Sequence, residues 1–349
     1  MSASVRIGRV ADGIWTVVPD GAPTVLDASA AIDAMVLEVL GGHLSWSLLA
    51  GQTIPAAVID NLELAHDWLW AVYGEPVAVA IADFDSGAAE LTDGAQFAAE
   101  PAVPDLVTAA WRLGFAHWAT RWWPASTIDG ITPLDDRLLD QEITALRAEC
   151  ELLIDDETAS DDETVDINAA VEVSTRAADY ALAAGGGADR PAGALSLGRG
   201  TGGWDWRRCP PGLIDASERA VSWESIRGSG TTTVRVTAVA APQLGSATPA
   251  HLRPRASITT PVGTAEAELN LIGDLWTGAA TTPSDSVSAV DVYVPGVGAT
   301  QDPKLGGPQM RQRIRELATA RLRRATGAHD AVDAPLLAEI AAAASDSDF

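Results

Sequence analysis

Apolar positions recur along this chain in two rhythms, and the change from one to the other is the strongest signal in the sequence. In the first half the spacing is mostly three and four. From about 55 to 73, Val58, Leu62, Ala65, Leu69 and Val72 fall on one face of a helix that Thr53 and Pro55 could start and Gly74 could end. A helix is also expected over about 27–40, closed by Gly41-Gly42. Another, over about 104–123, carries Trp111, Phe115, Trp118 and Trp122 on one face and stops at Pro124. Thr132-Pro133-Leu134-Asp135 reads as a capping box, opening a helix whose seam is Leu139, Ile143, Leu146, Cys150 and Leu153. A further helix is expected at about 167–184, capped by Gly185-Gly186-Gly187. Strands are fewer here: a hairpin joining Val5 and Ile7 to residues 14–18 around Asp12-Gly13, and a buried strand at 77–81.

Past a glycine-rich stretch the rhythm becomes two. Strands are expected at about 220–226, 231–239, 255–260, 264–272, 275–280 and 287–294. Turn signals at Arg227-Gly228-Ser229-Gly230, Pro261-Val262-Gly263 and Gly273-Asp274 separate several of them. A basic helix at about 308–324 and an Ala-rich tail helix from Asp333 follow. The expected fold is α+β. It comprises a helix-rich domain with a small sheet or hairpins (1–184), a Gly-rich linker (185–203), an antiparallel β-sandwich-like domain (204–300), and a terminal segment of amphipathic helix and tail (301–349). No βαβ alternation occurs, which argues against a dinucleotide-binding or P-loop architecture.

Composition narrows the functional field. The formal net charge is −25, and Lys304 is the one lysine among 23 basic residues. Such a balance opposes nonspecific binding to nucleic acid or anionic lipid. Two cysteines make neither a disulfide framework nor a structural zinc site, and Cys150 at an apolar helix position reads as a buried thiol. No leader and no membrane-length apolar run occur, which predicts a cytoplasmic protein without membrane contact.

Candidate chemistry is sparse. Gly198-Arg199-Gly200-Thr201-Gly202-Gly203 comes nearest to a phosphate loop, but Trp204-Asp205-Trp206 follows it rather than a helix start, so it reads as linker. The acidic run at 155–166 lacks the central Gly and final Glu of a calcium loop and reads as a solvated segment. His66 and His117 sit within helices with no motif around them, and no cofactor is expected. Three features suit contact with a partner: Trp204 and Trp206 with Arg207 and Arg208; Trp122 and Trp123; and the arginine cluster Arg311, Arg313, Arg315, Arg321, Arg323 and Arg324. That cluster could neutralise acidic surface of the same chain, meet an acidic protein, or meet RNA.

The leading expectation is a non-enzymatic interaction or assembly component with a protein partner. The alternative is a carbohydrate or small-ligand binder or hydrolase with a dispersed site of Trp206, Trp223, Trp276 and carboxylates. A third reading is a nucleic-acid accessory protein acting through the arginine helix.

Overall fold

The computed structural model describes residues 3–11, 13–27, 31–90, 95–154, 194–244, 248–298, 307–327 and 334–346. The acidic run at 155–166, the helix expected at 167–184 and its glycine cap lie outside the described residues. The fold is α+β, with mainly antiparallel sheets. The chain divides into two compact units, each built from segments that are not contiguous in sequence. The first takes Met1–Arg121, Asp135–Asp166 and Arg321–Ala341; the second takes Trp122–Leu134, Ile167–Ala320 and Ala342–Phe349.

The first unit is organised on a six-stranded antiparallel sheet. Its strands are β1 (Ala3–Ala11), β2 (Ile14–Pro19), β3 (Ala34–Val39), β4 (Gly42–Ser47), β5 (Ala56–Ile59) and β6 (Gln96–Ala99), in the order β3-β4-β5-β2-β1-β6. Because side chains alternate along a strand, register decides what shares a face. Ile7, Val17, Ala57, Leu44 and Leu37 stand in one cross-strand row, and all five are buried. Helices α1 (Leu62–Tyr73), α2 (Glu75–Asp85), α3 (Pro104–Trp122) and α4 (Asp136–Glu149) complete the unit's main elements. Polar tips of large buried rings tie helices to the chain around the sheet. Trp118 Nε1 donates to Ile32 O at 2.8 Å, Trp68 Nε1 to Leu40 O at 2.7 Å, and Tyr73 Oη to Pro55 O at 3.1 Å. Each ring thereby buries its full apolar area while its polar atom stays satisfied.

The second unit holds two sheets. β13 (Asn270–Ile272), β14 (Leu275–Thr282), β10 (Thr231–Val239), β9 (Val221–Gly228) and β7 (Leu195–Thr201) lie side by side in that order. The other sheet has β12 (Gly263–Glu268), β11 (Arg255–Thr260), β15 (Ala289–Tyr293) and β8 (Gly203–Trp204), with β8 parallel to β15. The chain crosses between sheets at Gly202 and at the fully buried Leu269. Val234, Val236, Ala238 and Trp276 form the buried face of the first sheet, and Ala256, Ile258, Val290 and Val292 that of the second. Helix α5 (Pro308–Ala325) and helix α6 (Leu337–Asp346) follow.

Several expectations for the first half fail locally. Residues 34–39 and 42–47 are a β-hairpin, not the end of a helix. Met35, Leu37 and Val39 alternate with Val36 and Glu38, and Gly41, at φ 70°, serves the turn rather than a helix cap. The stretch expected as one helix over 55–73 is strand β5 followed by α1. Asn61 stops one and starts the other, its side chain accepting from Glu63 N and Leu64 N. Residues 77–81 lie inside α2, which carries Pro76 in its first turn and buries Val77 and Ile81 one turn apart. Helix α4 is capped by Asp135, which accepts from Arg137 N and Leu138 N, so it begins after the predicted Thr132 box. Leu195–Thr201, within the stretch expected as linker, pairs with β9. In the second half the expected strands appear with ends shifted by a few residues at most sites, except that the one expected over 264–272 is two, β12 and β13, which break at Leu269 and belong to different sheets.

An added Cβ at Gly278 of β14 would fall 2.3 Å from Glu268 O and 2.8 Å from Leu269 Cδ2, where the chain turns from one sheet to the other. Gly278→Ala should therefore destabilise the protein by about 1–3 kcal/mol. Gly228→Ala, whose new methyl group meets nothing within 4 Å, should stay within about 0.5 kcal/mol of the parent. Urea unfolding of the two variants measures the difference.

Candidate functional site

The Trp204–Arg208 segment, which the sequence offered either as an anchor on a neighbouring core or as a docking surface, is mostly an anchor. Trp204 and Trp206 are buried, their ring centroids 6.1 Å apart. Arg207 closes a local fork on Asp205, with Nη2 donating at 2.8 Å and Nε at 3.2 Å. Arg208 donates from Nη1 to Asp291 at 3.0 Å, and its guanidinium lies 4.7 Å from the Tyr293 ring centroid. Tyr293 Oη in turn donates to Glu266 Oε1 at 2.9 Å. Burial holds the Asp291 carboxyl above its ordinary pKa despite the Arg208 charge. Cys209 beside this segment is fully buried, and burial raises its thiol pKa; Cys150 is pushed up to about 12 by the same cause. Both thiols are therefore protonated and unreactive at neutral pH.

The aromatic face of α3 is core as well. Phe115 stacks between Trp111 and Trp118, with centroids 5.5 and 5.7 Å away. Within the same unit Arg321 lies 4.2 Å over the Phe115 ring and 5.9 Å from Trp111. Its guanidinium meets Glu339 through two bonds, Nε to Oε1 at 2.5 Å and Nη2 to Oε2 at 2.7 Å, with both side chains at least 95% buried. Glu339 also accepts from Leu336 N, while the neighbouring Glu142 accepts from Leu337 N and from Arg112. Burial, the largest influence on Glu142, keeps its pKa raised. In the second unit Trp123 is buried and donates from Nε1 to Thr132 O at 3.0 Å, and Trp122 is half-buried.

Helix α5 settles where two further predicted arginines go. Arg311 grips Glu218 through Nε at 2.7 Å and Nη2 at 2.8 Å, and Arg315 reaches the same carboxylate at 3.1 Å, Ala216 O at 3.1 Å and Asp129 at 3.5 Å. Burial alone would raise the Glu218 pKa; the bonds and charges of Arg311 and Arg315 outweigh it and hold Glu218 below its ordinary value. Next to it, the fully buried Asp215 carboxylate accepts from Ser126 Oγ at 2.6 Å, Thr127 N at 2.7 Å, Ile128 N at 3.3 Å and Ser217 N at 2.9 Å. The cluster as a whole fixes the 122–134 segment and α5 to the turn at 215–219. Arg323 remains exposed near the end of α5.

No family model, curated protein or solved structure matches the chain.

Of the predicted histidines, His66 is exposed beside Asp67 at 3.5 Å, and burial lowers the pKa of the half-buried His117. Trp206 and Trp276 are buried, with Trp276 Nε1 donating to Leu213 O at 2.8 Å, so neither ring offers a face to a sugar. The glycine-rich run proves to be a strand with a packing purpose. A Cβ on Gly200 would come within 2.8 Å of the Trp223 ring, and one on Gly202 within 2.4 Å of Val221 Cγ1. The first glycine thus makes room for an indole and the second for a crossing between sheets. No helix N-terminus follows them.

What sequence reasoning missed lies on the opposite face of that strand. Register aligns Arg199 of β7 with Glu224 of β9 and Glu224 with Arg235 of β10. Two residues along, Thr201, Ser222, Thr237, Thr277 and Asn270 form a second row across all five strands. These residues are half-buried or exposed. Glu224 accepts from Ser196 Oγ at 2.9 Å. The guanidiniums of Arg199 and Arg235 make no hydrogen bond or ion pair among the described residues. The missing signal was long-range pairing: residues 199, 224 and 235 share a row only once three strands are in register.

Two tests address the internal ion pairs. Glu218, held below its ordinary pKa, contributes stability above the unfolded-chain value of about 4.3, and that contribution vanishes as pH falls through the folded value. Glu218→Gln should thus be less stable than the parent at pH 7, with the gap closing on acidification below about pH 4; parallel curves in thermal unfolding against pH would refute the pairing. In the first unit, Arg321→Met and Glu339→Leu should each cost about 3–5 kcal/mol by leaving a buried charge alone, while Arg321→Met/Glu339→Leu should cost much less than their sum. Urea unfolding of the three variants completes the cycle.

Proposed function

We propose that the protein is an interaction component of a multi-protein assembly, and that the outer face of the β7–β9–β10–β14–β13 sheet is its contact surface. The observation that carries this reading is the pair of cross-strand rows on that face. The chain carries 48 acidic and 23 basic residues, so carboxylates outnumber basic groups about two to one. Arg207, Arg208, Arg219, Arg227, Arg255, Arg311 and Arg315 of the same unit are each paired with Asp or Glu. Arg199 and Arg235 flank Glu224 on one sheet face and make no ion pair among the described residues, beside a line of hydroxyls and an amide. Arginine is enriched where partners bind, and a regular sheet holds such groups at fixed spacing.

The arginine helix supports the same reading over a nucleic-acid role. Arg311, Arg315 and Arg321 are engaged by Glu218, Asp129 and Glu339, so half of the predicted basic cluster is not offered to phosphates. The test is co-purification of the tagged full-length chain from its source at about 150 mM salt, followed by native mass measurement. A partner in fixed stoichiometry is expected. A chain that elutes alone as a monomer at every salt concentration overturns the proposal.

A further inference from the structure

We infer that the outer face of the five-stranded sheet binds an acidic polyproline-II segment of a partner protein, with carboxylates at positions i and i+3. The inference rests on the assembly reading above and names the chemistry of the partner at that surface. Its basis is a match of spacings. Arg199 and Arg235 sit in the same row on strands two apart, with Glu224 on the strand between them. Neighbouring strands lie about 4.8 Å apart, which separates the two arginine backbones by about 9.6 Å. A polyproline-II segment has three residues per turn and rises about 3.1 Å per residue, so side chains at i and i+3 project from the same side about 9.3 Å apart. In an antiparallel or parallel β-strand, by contrast, same-side residues at i and i+2 are only about 6.8 Å apart.

The charges select within that geometry. The row reads plus, minus, plus, so two carboxylates fit over the arginines and a third between them would face Glu224. Each guanidinium can fork onto a carboxylate. The second row, Thr201, Ser222, Thr237, Thr277 and Asn270, runs parallel to the first and supplies hydroxyl and amide donors. A polyproline-II backbone has no internal hydrogen bonds, so its carbonyls are open to such donors.

The experiment uses the full-length protein and fluorescein-labelled peptides of equal length, read by anisotropy at about 50 and 300 mM salt. Repeating Glu-Pro-Pro is the probe; repeating Gln-Pro-Pro removes the charge, and repeating Glu-Pro carries more charge at a different spacing. The expected result is binding of Glu-Pro-Pro roughly tenfold tighter than either control, weakened by salt, and reduced at least about tenfold in Arg199→Gln/Arg235→Gln. Circular dichroism of that variant should match the parent, since Arg199 is exposed, Arg235 is half-buried and neither makes an ion pair among the described residues. Absence of binding, equal binding of Glu-Pro, or full retention by the double variant overturns the inference. A stoichiometric native partner held equally by the double variant leaves the assembly reading standing and removes this one. Spacing-dependent peptide binding by a chain that has no native partner does the reverse.

Discussion

The second unit is held together internally by a carboxylate that cannot be left unsatisfied. Asp215 is fully buried, and an ionised carboxyl taken from water costs several kcal/mol unless donors replace the lost solvent. Three of its four donors come from residues 126–128, nearly ninety positions earlier in the chain. The requirement to satisfy one group therefore dictates where the 122–134 segment must lie. Its neighbours extend the constraint: Glu218 takes Arg311 and Arg315 of α5, and Arg219 meets Asp129 of the same loop. The turn at 215–219 thus ties two distant pieces of chain together. A hydrophobic contact could bury the same area, but it would accept many orientations, whereas directional bonds to a single carboxylate accept few.

The same chemistry recurs in the first unit and gives the composition a structural meaning. Arg321 with Glu339 and Arg112 with Glu142 are buried pairs whose carboxylates also accept the backbone amides of Leu336 and Leu337. An acidic chain built almost without lysine has at its disposal a planar fork that binds carboxylates at two points and stacks on rings. Arg321 does both, lying over Phe115 while it holds Glu339. Basic residues in this protein act chiefly as internal cross-links among abundant acids. Those that are not so engaged stand out for that reason.

How much of this was legible in the sequence depends on distance along the chain. Strand β10 was read with its observed ends because Thr232, Val234, Val236 and Ala238 alternate cleanly with polar neighbours. Helix α5 was equally plain, since its apolar stripe repeats for more than four turns. Short apolar runs were not: 77–81 reads as strand by composition, yet Val77 and Ile81 are simply one helical turn apart. The hairpin at 34–47 was hidden by a glycine pair that serves a turn as well as a cap. At the candidate site the residue types were informative and their partners were not. That the arginine helix could act within its own chain was foreseeable, but nothing local points from Arg311 to Glu218 across 93 positions. The row of Arg199, Glu224 and Arg235 was invisible for a similar reason, because it exists only through strand register.

That register has a local cause in the two glycines that most resembled a phosphate loop. Gly198 and Gly200 face Trp223, and at Gly200 even a methyl group would strike the indole. With the glycines fixed on the buried side, alternation forces Arg199 to the opposite face, level with Glu224. An irregularity between Ser196 and Gly198 absorbs the mismatch further up the strand without disturbing this pairing. A slip of one residue would set Arg199 against the tryptophan and turn the glycines outward, exchanging a packed core and a charged surface for neither. The packing of the half-buried Trp223 on Gly200 and the charge pattern on the far side of the sheet are therefore one constraint seen from two faces.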